Sequence, residues 1–334
     1  MSGDRDRRGF VHEPVMVEEI AELLGAAPAG TIVDATLGGG GHSAAVLDTQ
    51  PHLSVLGIDR DQHAIEAAEA RLAGFGDRFS TSKCRYDELP AALAEHDLAR
   101  ISGALFDLGV SSPQLDHAER GFSYRHDGPL DMRMDEEQRW SAADIVNGYE
   151  RDELARVIRR YGDERFAARI AAAICGARPV QSTTELATIV TAAIPAAARR
   201  TGGHPAKRTF QAIRIEVNQE LEALPTALDQ AVEATIPGGR IAVLSYHSGE
   251  DRIVKERFSE ASGACDCPAD LPCVCGAIQT VRIVRGVPKR PSAEEQERNR
   301  RAASARLRVI EKIEPVRKAD GAPVVRDRDQ EGPR

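Results

Sequence analysis

Short apolar runs and segments of helical spacing alternate along the first third of the chain. Thr31-Ile-Val-Asp34 is a β-branched run closed by an acidic residue, and Leu53-Ser-Val-Leu-Gly-Ile-Asp59 and Ile101-Ser-Gly-Ala-Leu-Phe-Asp107 repeat that form. A further strand is expected over 78–86. Between these runs, apolar positions recur at helical spacing over 42–47, 62–72 and 89–96, and another helix runs from within 12–20 to Leu24. Repeated β-α-β-α order predicts an α/β fold with a mostly parallel, doubly wound sheet.

The periodicity changes after Asp107. Residues 115–215 read as a loop and then helices over 140–146, 151–161, 165–174, 184–193 and 210–221, with no convincing strand. Glu153 and Thr184 sit in first-turn or capping positions. The α/β pattern then resumes with a helix over 227–235, a turn at Pro237-Gly-Gly239, a fifth strand over 240–245 and a later one over 278–284. Residues 298–311 read as a basic helix. The resulting division is a core in two parts, 10–114 and 216–312, a helical insertion at 115–215, and a disordered tail at 313–334; residues 1–10 are also expected to be disordered.

Composition narrows the class. The chain has 334 residues, of which 42% are hydrophobic and 29% charged, as in soluble globular proteins. No apolar run is long enough to span a bilayer, and the charged start Met1-Ser-Gly-Asp-Arg-Asp-Arg-Arg8 has no apolar segment of a secretory signal after it. A cytoplasmic protein without membrane partners is expected. The net charge of −8 leaves nucleic-acid binding to local patches. Cys84 and Cys175 read as buried thiols. Cys265, Cys267, Cys273 and Cys275 form two C-x-C pairs, closer than the usual zinc spacing, and are read as reduced thiols with no metal.

Candidate chemistry gathers at the strand ends. Gly38-Gly-Gly-Gly-His-Ser43 joins the first strand to a helix, a geometry that admits a nucleotide-like ligand because glycine takes positive φ and carries no Cβ. Asp59 suits the two ribose hydroxyls of an adenosine, a device common to NAD and S-adenosyl-L-methionine (SAM) enzymes, so these two strands alone leave the cofactor open. Asp34 suits the loop backbone or a sulfonium or amino group. Asp107 suits an adenine amino group, a substrate amine, both in turn, or a plain turn position. An acceptor here would engage the N–H of an exocyclic base amine while its nitrogen is methylated, a task of positioning and electrostatics rather than strong base. Ser245-Tyr-His-Ser-Gly-Glu-Asp-Arg252 ends the fifth strand; Tyr246 suits stacking on a flipped base and His247 a proton relay, against the alternative of a turn that caps the next helix. Lys207, Arg208, Phe210 and Arg214 form a basic stretch with one aromatic, suited to an RNA backbone. Arg298, Arg300, Arg301, Arg306 and Arg308 make a second patch, read as a solvated helix face.

Together these blocks resemble the ribosomal RNA small subunit methyltransferase H, or MraW, family. The resemblance rests on His12-Glu-Pro-Val15, Asp34-Ala-Thr-Leu-Gly-Gly-Gly-Gly-His-Ser43, Phe106-Asp-Leu-Gly-Val-Ser-Ser-Pro-Gln-Leu-Asp116 and Glu119-Arg-Gly-Phe-Ser123. It continues through Asp127-Gly-Pro-Leu-Asp-Met-Arg-Met134, Tyr161-Gly-Asp-Glu-Arg-Phe166, Arg208-Thr-Phe-Gln-Ala-Ile-Arg214, the Ser245–Arg252 run and Ser304-Ala-Arg-Leu-Arg308. It implies a class I SAM-dependent methyltransferase, Rossmann-like with a helical insertion, that methylates N4 of a cytidine in the decoding centre of 16S rRNA in the small ribosomal subunit. SAM contacts are expected at Asp34, Gly40, Gly41, His42, Asp59, Tyr86, Asp107 and Gln114; catalytic roles at Asp107, Ser245 and His247; and RNA contacts at Lys207, Arg208, Phe210, Arg214 and Tyr246. Tyr246 and Gly249 stand where the family commonly has Phe and Leu. The alternative is an N-methyltransferase acting on another RNA or a small-molecule amine. A homodimer is left open.

Overall fold

The computed structural model describes residues 14–199, 203–265, 267, 276–299 and 301–317. Among these residues a seven-stranded sheet has the order β3-β2-β1-β4-β5-β7-β6. The strands are β1 (Gly30–Asp34), β2 (Leu53–Asp59), β3 (Phe79–Lys83), β4 (Ile101–Asp107), β5 (Thr235–Ser245), β6 (Ile278–Ile283) and β7 (Arg306–Arg317). The first five pair in parallel, and β7 runs antiparallel to both β5 and β6. This is the doubly wound, Rossmann-like sheet expected from the sequence.

Alternation along the central strands places apolar side chains on both faces, as expected for a sheet covered on both sides. Val33, Ala104, Phe106, Ile241 and Val243 join one core with Leu224 and Leu228. Ile32, Leu105, Ala242 and Leu244 join the other with Ile20, Leu24 and Val46. The core helices are α1 (Val17–Gly25), α2 (Gly41–Thr49), α3 (Gln62–Leu72) and α4 (Leu89–Glu95), and α5 (Ser112–Asp116) follows β4.

The insertion has its own core, in which Leu154, Ile158, Ile170, Ile174, Leu186, Val190, Phe210 and Ile213 are buried together. Its helices are α6 (Ala142–Gly148), α7 (Arg151–Gly162), α8 (Ala167–Ala177), α9 (Thr183–Ala193), α10 (Ala196–Arg199) and α11 (Lys207–Asn218). Chain reversal at Gln219, with φ 53°, separates α11 from α12 (Glu220–Ala234), which returns to the sheet. Asn218 is buried beside that reversal. Its amide donates to Met132 O at 2.7 Å and accepts from Met134 N–H at 2.9 Å, tying the loop after β4 to the end of the insertion. The helix expected over 210–221 therefore ends earlier, and the one expected over 227–235 starts earlier.

Three further expectations change. The turn at 237–239 is a bulge inside β5: Ile101 pairs with Thr235 and Gly103 with Arg240, leaving residues 236–239 out of register. The basic helix over 298–311 is not formed as such. α13 (Ser248–Ala261) precedes β6, a short α14 (Ala293–Arg298) follows it, and β7 then begins at Arg306. Leu307 and Val309 are buried while Arg306 and Arg308 both pair with Asp251, so the governing period is two. The tail does not begin at 313, because residues 313–317 belong to β7; residues 1–13 and 318–334 lie outside the described set.

Candidate active site

The strand order reverses between β1 and β4, which sit side by side, and Asp34, Asp59 and Asp107 end β1, β2 and β4. Ligands of open α/β sheets bind beyond such carboxyl ends. The turn between β1 and α2 is closed by Leu37 N–H on Ile58 O and Gly40 N–H on Leu37 O. Gly40 has φ 70°, and a Cβ there would meet Leu72 Cδ1 at 2.9 Å; both the left-handed backbone and the helix behind it demand glycine. A Cβ on Gly39 would meet nothing within 4 Å, so the loop tip faces open space.

Asp59 Oδ2 accepts from Gly38 N–H and Oδ1 from Asp61 N–H, each at 2.9 Å. Burial pushes its carboxyl up to about 6 despite these two bonds, and the neighbouring Asp61 and Asp34 push the same way. Asp34 turns inward. Ser43 Oγ donates to its Oδ2 at 2.6 Å and Thr36 N–H to its Oδ1 at 3.3 Å, while burial raises its carboxyl. Of the two roles open to Asp34, the structure supports holding the loop against α2.

Asp107 is anchored by its N–H on Thr36 Oγ1 at 2.6 Å. Its Oδ1 accepts from the Tyr246 hydroxyl at 2.6 Å, and Oδ2 lies 3.6 Å from His42 Nδ1. His42 is buried and its Nε2 donates to Val15 O at 2.9 Å, so Nδ1 is the nitrogen left for Asp107. Burial, and then the Asp107 carboxylate, push the Tyr246 hydroxyl well above its ordinary value, and it remains a proton donor.

Gln114 and Tyr86 flank this edge. Gln114 is buried; it accepts from Ser111 N–H at 3.0 Å and donates to Asp61 Oδ2 at 2.9 Å. Tyr86 is half-buried, edge-on to Phe106 with centroids 6.2 Å apart, and its hydroxyl donates to Glu220 O at 2.6 Å. Two residues missed in the sequence reading complete the arrangement. Asp61 caps α3 through His63 N–H at 3.1 Å, and Arg120 Nη1 reaches Asp61 Oδ2 at 2.9 Å. Arg120 Nη2 also donates to Arg133 O and Met134 O, which ties the cofactor edge to the loop that leads into the insertion. Asp61 carries a legible signal, an acidic residue just before an apolar-periodic helix.

Four expected residues are placed differently. Ser245 is buried inside the sheet with its Oγ 3.5 Å from Arg306 O. His247 is the N-cap of α13: Nδ1 accepts from Gly249 and Glu250 N–H at 3.2 and 3.3 Å, and Nε2 lies 3.1 Å from Glu250 Oε1. The cap engages Nδ1, while Nε2 is buried beside Glu250 without a hydrogen bond. Burial raises the Glu250 carboxyl, but His247 and Tyr246 N–H outweigh it and hold the group below its ordinary value. Phe210 is 3% exposed, in the insertion core, where no base can stack on it. Arg214 is bonded to Glu220 at 2.8 and 2.9 Å, with both side chains largely buried. Arg208 is exposed and donates to Asp163 O at 3.0 Å, and Lys207 is exposed.

Cys265 and Cys267 are half-buried, whereas Cys273 and Cys275 lie outside the described residues, as do His12 and Arg300. Among the described residues no cluster of His, Cys, Asp and Glu is suited to a metal, and no helix is long and apolar enough to cross a membrane.

Comparison with known proteins decides the family. The MraW methylase family matches residues 9–313. The chain belongs to the MraW methylase family. It is 48% identical over 310 residues to the ribosomal RNA small subunit methyltransferase H of Symbiobacterium thermophilum, covering 91% of this chain and 98% of that protein. It is 52% identical over 308 residues to the protein of the same name from Thermobifida fusca, covering 90% and 93%. As an MraW methylase it is a SAM-dependent methyltransferase. The residues at the carboxyl edge fit that cofactor. The Asp59 carboxyl, half-buried at the end of β2, accepts from two backbone N–H groups, and a carboxylate at this strand end suits the two hydroxyls of a ribose. The Gly39 tip leaves backbone open for close approach.

Proposed function

We propose that this chain methylates the N4 amino group of a cytidine in 16S rRNA, in the decoding centre of the small ribosomal subunit, as a cytoplasmic enzyme. The names of its relatives support small-subunit rRNA as substrate. The observation that carries the chemistry is Asp107, an acceptor at the end of β4 in hydrogen-bond contact with Tyr246 and next to His42.

Bound SAM supplies an electrophilic methyl group. The chain's part is to place the amine. A cytosine amine has its lone pair delocalised into the ring, so an acceptor on its N–H favours a nitrogen that can attack. Asp107 is that acceptor, and it takes the proton that becomes acidic once the nitrogen carries the methyl group. Tyr246 holds one carboxylate oxygen, leaving Oδ2, on the His42 side, to receive the amine. Asp59 holds ribose, Gly40 and Gly41 shape the loop around it, and Tyr86 gives an aromatic wall. Gln114 acts through Asp61 rather than by direct contact.

Transfer of labelled methyl from SAM into small subunits that lack the modification tests this reading. Wild-type protein should label them. Asp107→Ala should bind SAM within a few-fold of wild type and transfer at least ~100-fold more slowly. Turnover by Asp107→Ala near the wild-type rate removes Asp107 from the mechanism.

A further inference from the structure

The insertion carries an open groove of about 430 Å³, walled by Thr184, Thr188 and Thr191 of α9 and by Tyr124, Arg199 and His204. Tyr124 and His204 are stacked, with ring centroids 4.5 Å apart and planes 18° from parallel. Tyr124 sits edge-on to Phe210 at 5.8 Å, and Phe210 is buried in the insertion core. Three rings therefore lead from the core outwards, and the outermost, His204, is exposed. His204 Nδ1 accepts from Ala206 N–H at 3.2 Å, which fixes the ring at the entrance to α11.

Charge points to the occupant. Residues 195–215 contain no acidic residue. Arg199 is exposed, with Nε donating to Ile194 O at 2.8 Å to orient its guanidinium, and Lys207 and Arg208 lie on the exposed start of α11. The described residues that line the groove include no acidic side chain, and the nearby Asp127 accepts the Thr184 hydroxyl. A rigid exposed ring beside an oriented guanidinium is the combination that single-stranded RNA meets: bases stack on flat side chains and phosphates pair with arginine.

We propose that this groove holds a nucleotide of the RNA substrate other than the one methylated, its base stacked on His204 and its phosphate on Arg199. The proposal rests on the rRNA reading above. In this arrangement Phe210 serves RNA indirectly, as the buried support of the ladder.

The test measures binding of a short unstructured oligoribonucleotide carrying 2-aminopurine, together with methylation of protein-free 16S rRNA and of small subunits. His204→Ala should weaken RNA binding roughly ten-fold and reduce 2-aminopurine quenching. Arg199→Gln should make the salt dependence shallower by about 0.7 in log–log slope. Thr188→Glu, on an exposed helix position, should weaken binding without affecting the ring ladder. All three should keep wild-type SAM affinity and wild-type kcat at saturating RNA. Wild-type RNA affinity in the three variants overturns the proposal. A deficit seen only with assembled subunits, and not with protein-free RNA, also overturns it and assigns the groove to a ribosomal protein. Wild-type protein that neither binds nor methylates RNA removes the underlying rRNA reading, and the proposed occupant with it.

Discussion

Asp59 makes SAM affinity depend on pH in a calculable way. Burial, the largest cause, raises its carboxyl from 3.8 to about 6 in the free protein. A ribose diol donates to the carboxylate and gains less from the carboxylic acid, so the ligand must bind the deprotonated form. The sign follows: affinity is full above the free-protein value and is lost as pH falls through it. A group that must lose a proton with pKa about 6 weakens binding ~10-fold at pH 5 and by only about a tenth at pH 7. Asp59→Asn removes the titration and the charge-assisted bonds, each worth roughly 1.5–3 kcal/mol, so it should bind SAM ~10- to 100-fold more weakly at pH 7. The decisive quantity is the ratio of the two proteins' dissociation constants, because Asp34 and the histidines titrate in both. Calorimetry from pH 5 to pH 8 should show this ratio largest above pH 7 and about ten-fold smaller at pH 5. A ratio that stays constant across the range refutes the ribose role of Asp59.

Tyr246→Phe removes the donor on Asp107 Oδ1; because Phe is common at this position in the family, kcat and SAM affinity should both stay within about three-fold of wild type, and a ~10-fold loss of kcat would place the hydroxyl in the reaction. Phe210→Ala empties a buried core site and should cost ~3–5 kcal/mol in unfolding free energy; wild-type stability together with weakened RNA binding would restore the stacking role that its basic context suggested. Arg214→Ala strands Glu220 in a largely buried pair and should destabilise by ~3–5 kcal/mol, detected as a drop in the denaturation midpoint. Intact stability with a raised substrate KM would return Arg214 to the RNA surface.

What could be read from the chain was set by local pattern. Asp34, Asp59 and Asp107 each close an apolar run, and the sheet brings all three to one edge. The helices from α6 to α11 were legible because helical spacing persists through them, and their apolar faces share one core. β7 was misread because arginines at 298, 300, 301, 306 and 308 suggested a charged helix face. The alternation Arg306-Leu-Arg-Val309 has period two, and it makes sense only once Asp251, far back in the chain, supplies the partner. Phe210 and Arg214 lie in a basic stretch, yet α11 turns both inwards, and no composition shows which face of a helix is buried. His247 looked catalytic because it follows a strand end. The same position opens α13, whose first N–H groups take its Nδ1 and leave Nε2 without a hydrogen bond. Arg120 was hidden for the opposite reason, since its partners come from the N-cap of α3 and from the loop at 133–136.

The most direct test of the central claim is nucleoside mass spectrometry of 16S rRNA after reaction of this protein with methyl-labelled SAM and small subunits that lack the modification. Label in N4-methylcytidine at a single decoding-centre position is the predicted result. Label in a different nucleoside, or none in any nucleoside from a protein that binds SAM tightly, contradicts it.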